Sequence, residues 1–319
     1  SWRDVHRVDN LRLHLGAMVD RTSIPLEITA NGEQFSISRV LFNYFPTPTV
    51  SLVLPEAGPA AGGTLVMASG HAPFDAGSHL YCQFNETVVA GTFARTSDVV
   101  PLGLSNLTGG GVLCRSPALG PGEAKVSLTF NGQDFTHIVG QFYTYAAPRL
   151  VSLRPQTGPA RGGTRIRIRG ANLLAGSNFT RFCRFGHLPV VPAQVDSNSE
   201  AICITPSLDP PPTSGEASVF VELTLNEQDF TTDRINFTFY DPPTVTLVSP
   251  STGPTQGGTL LSLRGNFSAL GSTYNCSFGT SASLVPATRI AHDILLCSTV
   301  ALSAGVHSVE VTLNADDYS

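Results

Sequence analysis

One phrase occurs three times in this chain, and nothing else constrains the fold as much. It reads PTVSLVLPEAGPAAGGT from Pro48, PRLVSLRPQTGPARGGT from Pro148 and PTVTLVSPSTGPTQGGT from Pro243, at offsets of 100 and 95 residues. A short strand-like run ending in glycine follows each GGT: LVMASG to Gly70, RIRIRG to Gly170 and LLSLRG to Gly265. A second signature closes each period. It appears as ANGEQFS from Ala30, FNGQDFT from Phe130, LNEQDFT from Leu225 and LNADDYS from Leu313. The first three are followed by an aromatic strand: LFNYF, QFYTY or NFTFY.

The local pattern is that of strands. Ile166 and Ile168 alternate with Arg165, Arg167 and Arg169, so one face is apolar and the other cationic. The same register points Val66, Ala68, Leu261 and Leu263 inward. Near each period's end, Val126, Leu128 and Phe130 alternate, as do Val221, Leu223 and Leu225, Val309, Val311 and Leu313, and Leu26 and Ile28. Asn31-Gly32 and Asn131-Gly132 read as type I′ hairpin turns, with the aromatic strand as the return arm. No helix-period segment longer than about 10 residues carries good caps. Short strands with frequent turns in each period of this length predict an all-β chain of tandem two-sheet, Ig-like sandwiches. The glycines near residues 58–63, 158–163 and 253–258 are turn residues. A phosphate loop would need a Lys after them and a helix behind, whereas here a Thr and a strand follow.

The register divides the chain into residues 1–45 (the C-terminal part of a repeat), two full repeats at 46–145 and 146–240, and a fourth at 241–319 lacking its last strand. Both ends cut a repeat, which predicts a segment of a longer polypeptide. The joints are short: Phe45-Pro46, Tyr145-Ala146-Ala147-Pro148 and Tyr240-Asp241-Pro242-Pro243 pass from the last strand of one repeat to the first of the next. Proline stiffens them. Phe45, Tyr145 and Tyr240 stand where each could pack on the following repeat or serve as ordinary core aromatics.

Six cysteines fall two per repeat: Cys82 and Cys114, Cys183 and Cys203, Cys276 and Cys297. Six allow fifteen pairings, and the repeat register selects the pairing within each repeat. Such bonds imply an oxidising compartment. Zinc sites use close pairs such as CxxC with His nearby. No such close pair occurs in this chain, and no metal or other cofactor is expected. His14 aligns with Cys114 and Cys297, so the first, partial repeat is expected to lack the bond. Six N-x-S/T sequons, at Asn85, Asn106, Asn178, Asn236, Asn266 and Asn275, are candidate N-linked glycosylation sites. Asn178 and Asn266 lie in loops after a strand. Asn236 opens an aromatic strand and Asn275 adjoins Cys276, positions with less room for a glycan.

Composition narrows the function. Charged residues are 13%, the formal net charge is −5, and Lys125 is the lone lysine against 18 arginines. No polybasic surface is available to hold nucleic acid through counterion release. No apolar run is long enough to insert this segment in a bilayer, and Ser1-Trp2-Arg3-Asp4 opens no signal peptide. The eight histidines are scattered, and no Ser-His-Asp, Cys-His or paired-carboxylate set recurs at a fixed repeat position. Catalytic residues are not expected. Asp134, Asp229 and Asp317 do recur, and read as turn carboxylates bonded to their own backbone. A single carboxylate per turn offers too few oxygens for calcium.

The combination of GPxxGGT, a strand ending in Gly, an aromatic-flanked first cysteine and an (L/I)C second cysteine resembles the IPT/TIG repeat. That is an Ig-like, early-set sandwich. The two-cysteine form is similar to repeats in plexins, in the hepatocyte growth factor receptor family and in fibrocystin-like ciliary surface proteins. The resemblance covers nearly the whole chain. It implies a non-catalytic, structural or adhesive segment of a large extracellular, cell-surface or ciliary (flagellar) protein, working as a stiff spacer or filament-forming rod. The alternative is the ligand-binding ectodomain stalk of a receptor. The expected partners are other protein chains, further repeats of the same polypeptide and N-linked glycans. Leu65 and Met67 stand where Arg165 and Arg167 stand one repeat later, so they are expected to face outward and form a contact face. Arg165, Arg167 and Arg169 form a cationic stripe that could meet an acidic neighbour or a glycan.

Overall fold

The computed structural model describes residues 23–43, 49–71, 79–95, 110–137, 140–174, 181–209, 216–279, 284–315 and 317–319. His14, Phe45, Asn106 and Asn178 lie outside the described residues. Every regular element among the described residues is a β-strand.

The first hairpin is β1 (Ser23–Leu26) and β2 (Val40–Asn43), paired antiparallel. The next repeat contains β3 (Thr49–Leu54), β4 (Ala57–Pro59), β5 (Leu65–His71), β6 (Tyr81–Phe84), β7 (Thr87–Arg95), β8 (Gly110–Arg115), β9 (Gly122–Thr129) and β10 (Gly140–Tyr145). The middle repeat copies it with β11 (Arg149–Arg154), β12 (Thr157–Pro159), β13 (Arg165–Ala171), β14 (Phe182–Phe185), β15 (Val191–Ser197), β16 (Glu200–Ile204), β17 (Glu216–Thr224) and β18 (Ile235–Tyr240). The last contains β19 (Thr244–Ser249), β20 (Leu260–Asn266), β21 (Asn275–Phe278), β22 (Val285–Pro286), β23 (Thr288–Ala291), β24 (Ile294–Ser298) and β25 (Val309–Thr312).

Each full repeat is a sandwich whose two layers share one strand. The hydrogen-bonded order is β3-β5-β8-β7-β6-β9-β10-β4, and β11-β13-β16-β15-β14-β17-β18-β12 repeats it. Thr87–Ala90 of β7 pair with β6 in one layer, and Gly91–Arg95 pair with β8 in the other. The last repeat divides that switching strand into β22 and β23, giving sheets β19-β20-β24-β23 and β22-β21-β25. In the three cysteine-bearing repeats the inward positions form the core as the alternation predicts: Val66, Ala68, Ile166, Ile168, Leu261 and Leu263 are all buried, whereas Leu26 and Ile28 beside the first hairpin are exposed. Burying such side chains is the main drive to fold, at about 1.5–3 kcal/mol each.

The disulfides Cys82–Cys114, Cys183–Cys203 and Cys276–Cys297 join the two layers through the middle of each core. Aromatic pairs fill the space beside them. Phe84 meets Phe142 edge-on at 5.6 Å, and Phe185 meets Phe237 likewise at 5.9 Å. Gly58 and Gly158 are required by this packing. A Cβ on Gly158 would lie 2.2 Å from the Thr164 hydroxyl and 2.9 Å from Phe237.

Two expectations need correction. Met67 is fully buried, not outward on an open face. Its cross-strand neighbours are Leu54 and Leu113, and with Leu52 and Ala94 they form a small apolar cluster on the outer side of the sheet. In the middle repeat the same positions are Arg154 and Ile202, so that cluster cannot form. Leu65 is half-buried, for a reason described below. The Asn-Gly pairs are also not type I′ turns, which need positive φ at both residues. Only the second residue is left-handed: Gly32, Gly132, Glu227 and Ala315 have φ of 79°, 78°, 65° and 67°. The asparagine instead works through its side chain.

Candidate interdomain interface

The turn that closes each repeat is built the same way every time. The Asn131 side-chain oxygen accepts from the backbone N–H of Gln133 (3.0 Å) and Asp134 (2.9 Å), and from the Thr129 hydroxyl (3.1 Å). Its amide Nδ2 donates to the Asp134 carboxylate at 2.8 Å. Asn226 and Asp229 repeat the arrangement, as do Asn314 and Asp317. In the first hairpin Gln34 replaces the aspartate, and the corresponding contact stretches to 3.5 Å. Asparagine suits this position because its short amide satisfies backbone donors two and three residues on. The aspartates therefore bond to the asparagine side chain rather than to their own backbone, which corrects the sequence reading.

The carboxylate then has acceptor capacity to spare, and in two repeats it is used across the joint. The Thr64 hydroxyl, from the GGT of one repeat, donates to Asp229 Oδ2 of the next at 2.7 Å. Gln228 pairs with the backbone of Leu65 in both directions: the Leu65 N–H donates to Gln228 Oε1 at 3.2 Å, and Gln228 Nε2 donates to the Leu65 carbonyl at 3.0 Å. Asn226 Nδ2 also donates to the Ala57 carbonyl at 3.0 Å. This explains the half-burial of Leu65. One joint later the pattern recurs. The Thr164 hydroxyl donates to Asp317 Oδ2, Asn314 Nδ2 donates to the Thr157 carbonyl at 3.4 Å, and Arg161 donates to the Tyr318 carbonyl.

The GPxxGGT phrase makes the socket. Consecutive left-handed glycines, Gly62 (φ 77°) and Gly63 (φ 95°), let the chain fold back so that Gly63 N–H reaches the Ser116 carbonyl at 2.8 Å. Thr64 N–H is then held by the Ser116 hydroxyl at 3.2 Å. Gly58 leaves space for the Thr64 side chain to turn towards the following repeat. Where the socket is filled, Thr64 and Thr164 are 1% and 0% exposed; their counterpart Thr259 is only half-buried. Asp134 is exposed, and its turn lines a shallow cavity of about 420 Å³ with His79, Tyr81, Val88, Gln133 and Phe135.

An apolar seam backs the polar contacts. Ala57 and Tyr145 belong to the same buried cluster as Leu150, Phe185 and Phe239 of the next repeat. Tyr145 therefore does pack on the following domain. Burial first, and the Asp229 charge second, push its phenol well above the ordinary value. Tyr240 is shifted the same way by burial and then by Asp317. Neither hydroxyl has a hydrogen-bond partner among the described residues. Asp233 accepts from the Leu150 N–H at 2.8 Å, fixing the start of β11 just beyond the three-residue linker.

Of the other predicted positions, Arg165, Arg167 and Arg169 are exposed, and Arg169 meets Glu200 at 3.3 Å. Asn85, Asn236 and Asn266 are exposed and Asn275 is half-buried, so Asn236 is more open than its place at a strand start implied, and Asn266 ends β20, paired with Thr244, rather than lying in the loop after it. Among the described residues no three His, Cys, Asp or Glu side chains cluster as a metal site, and no helix is long and apolar enough to cross a membrane. Sequence reasoning missed Thr64, Thr164 and Gln228. The available signal was the recurrence of both GGT and Asn-x-x-Asp in each repeat.

Comparison with known proteins agrees with this architecture. The IPT/TIG domain family model matches residues 48–145, 148–239 and 243–319. The chain belongs to the IPT/TIG family. Among curated relatives, Plexin-B3 of Rattus norvegicus is 31% identical over 222 residues, covering 69% of this chain and 11% of that protein. Plexin-A3 of the same species is 29% identical over 149 residues, covering 47% of this chain and 8% of that protein. The IPT/TIG chain thus spans only about a tenth of the length of these relatives. Among solved structures, the full extracellular region of Plexin A4 covers 90% of this chain and 24% of its own at 18% identity, with a TM-score of 0.43.

Proposed function

We propose that this chain is a non-catalytic spacer in the ectodomain stalk of a plexin-like cell-surface receptor, holding the domains on either side at a fixed separation and orientation. The observation that carries this reading is the joint made twice with the same atoms, Thr64 to Asp229 and Thr164 to Asp317. The similarity to plexins and the three disulfides support an extracellular or cell-surface setting. In that setting Asn85, Asn236 and Asn266 are, among the described residues, the sequons best placed to carry glycan. The filament-forming rod on a cilium or flagellum, the other expectation from the sequence, draws no support from the plexin relatives.

The test is expression through a secretory pathway, followed by intact mass before and after reduction and deglycosylation, and by small-angle scattering. Three disulfides, added hexose and one narrow distribution of inter-repeat orientations are expected. Free thiols with no glycan would remove the extracellular setting, and a broad range of orientations would remove the spacer role.

A further inference from the structure

The outer face of one sheet in the middle repeat is unlike its copies. Arg154 on β11 and Arg165, Arg167 and Arg169 on β13 all point to solvent, with exposed Arg149 at the end of the patch. The corresponding residues one repeat earlier are Leu54, Leu65, Met67, Ser69 and Thr49, and one repeat later Ser249, Leu260, Ser262, Arg264 and Thr244. Five equivalent positions that carry a single arginine in the other two repeats together carry five here, a local basic surface that the net charge of −5 had argued against.

The arrangement is electrostatically unfavourable as it stands. Arg154 lies directly opposite Arg167 across the strand pair, and like charges in that position destabilise a sheet. Residues two apart on a strand are about 6.6 Å apart, and neighbouring strands about 4.8 Å. Four guanidinium groups therefore crowd a small area. Among the described residues, the carboxylate paired with them is Glu200, at Arg169. Beside the stripe Ile202 and Ile204 on β16 offer no negative charge. A bound polyanion would turn the repulsion into attraction. Guanidinium presents a planar fork that matches sulfate and carboxylate oxygens in pairs.

We propose that this face binds a linear sulfated polysaccharide, with Arg154, Arg165 and Arg167 as its principal contacts. The choice of a sulfated polysaccharide among polyanions rests on the extracellular reading above, whereas the binding measurement does not depend on it. Loss of disulfides and glycan would remove the setting; loss of binding would remove this site.

The experiment uses the intact disulfide-bonded chain and size-defined heparin oligosaccharides at 150 mM salt, read by calorimetry or surface plasmon resonance. The triple variant Arg154→Gln, Arg165→Gln, Arg167→Gln should bind at least about tenfold more weakly, and the slope of log K against log salt should fall by about 2–3. A charge-matched control, Arg39→Gln, Arg234→Gln, Arg264→Gln, should bind nearly as wild type. Neither variant should lower the thermal transition, since every replaced side chain is exposed, and relief of the Arg154–Arg167 repulsion should raise it in the triple variant. Desulfated heparin should fail to compete. The proposal is overturned if wild type does not bind, if the control loses as much affinity as the triple variant, or if phosphatidylserine vesicles or duplex DNA bind more tightly than heparin.

Discussion

Replacing Asp229 with alanine should loosen the first joint without unfolding either repeat that it connects. Asp229 Oδ2 accepts from two donors at 2.7 Å: Asn226 Nδ2 in its own turn and the Thr64 hydroxyl across the joint. Among the described residues Asp134 accepts only the equivalent turn bond, from Asn131 at 2.8 Å, and it faces solvent. Asp134→Ala therefore measures the turn, and the excess loss in Asp229→Ala measures the joint. A hydrogen bond to a charged group is worth about 1.5–3 kcal/mol, and the half-exposed carboxylate argues for the lower end. Thr64, however, is 1% exposed and would be left without its acceptor, which adds part of a desolvation penalty. The expected excess is about 2 kcal/mol, close to a thirtyfold change in an equilibrium constant.

A global melting temperature is a poor readout, because a chain of several domains does not unfold in one step. The Leu65 amide is a better one. It donates to Gln228 Oε1, on the same turn as Asp229, so its hydrogen exchange reports opening of the joint. Asp229→Ala should lower protection at Leu65 by about thirtyfold and leave Val126 and Leu128 in the core unchanged. Thr64→Val should give a smaller loss, and the double variant less than the sum, because both changes remove one bond. If protection at Leu65 stays within about twofold of wild type, the carboxylate does not hold the joint.

The buried phenols at Tyr145 and Tyr240 have no hydrogen-bond partner among the described residues, so Tyr145→Phe and Tyr240→Phe should leave stability unchanged or raise it by up to about 1 kcal/mol in denaturant titrations. The same phenols titrate higher folded than unfolded. Their contribution is thus fully present below the free value of about 10 and is lost as pH rises above it, at up to about 1.4 kcal/mol per pH unit for each tyrosine; the Phe variants should lose that alkaline slope in calorimetry. Converting both Cys183 and Cys203 to alanine opens a loop of sequence separation 20 and should cost the middle repeat about 3 kcal/mol by the chain-entropy model, seen as a lowered calorimetric transition for that repeat. Met67→Arg, which installs the residue found one repeat later, should abolish secretion of a folded chain, because it buries an unpaired charge among Leu52, Leu54 and Leu113.

The period-2 alternation of Ile166 and Ile168 with three arginines was enough to place the core and the strand faces, and the repeat register was enough to pair the two cysteines within each sandwich. These depend on local pattern, which the sequence carries directly. Met67 shows where that reading fails. Whether an outward side chain is open depends on its neighbours across two strands, here Leu54 and Leu113, which lie 13 and 46 residues away in the chain. The joint was hidden for the same reason. Asp229 and Thr64 are 165 residues apart, and each by itself reads as an ordinary turn residue. Only the repetition of both phrases in the three cysteine-bearing repeats links them, and periodicity alone does not say which surfaces touch.

In the proposed spacer, stiffness of the joint would come from its second point of attachment. The linker Ala146-Ala147-Pro148 fixes φ only at the proline, and Ala146 and Ala147 would otherwise let one repeat swing on the next. The turn at Asn226–Asp229 adds a tether at a different place, to Ala57, Thr64 and Leu65. Rotation about the linker must break those bonds together and also pull Tyr145 out of the apolar cluster it shares with Leu150 and Phe239. Neither element suffices alone: a linker sets distance but not direction, and a few hydrogen bonds between separate domains would not offset the entropy of bringing them together. Covalent linkage makes the second contact intramolecular, so a single carboxylate and a small amide pair are enough to set direction. This also accounts for where the joint sits. It uses turns and strand ends, leaving the outer faces of the sheets, including the arginine face of the middle repeat, free for contacts of another kind.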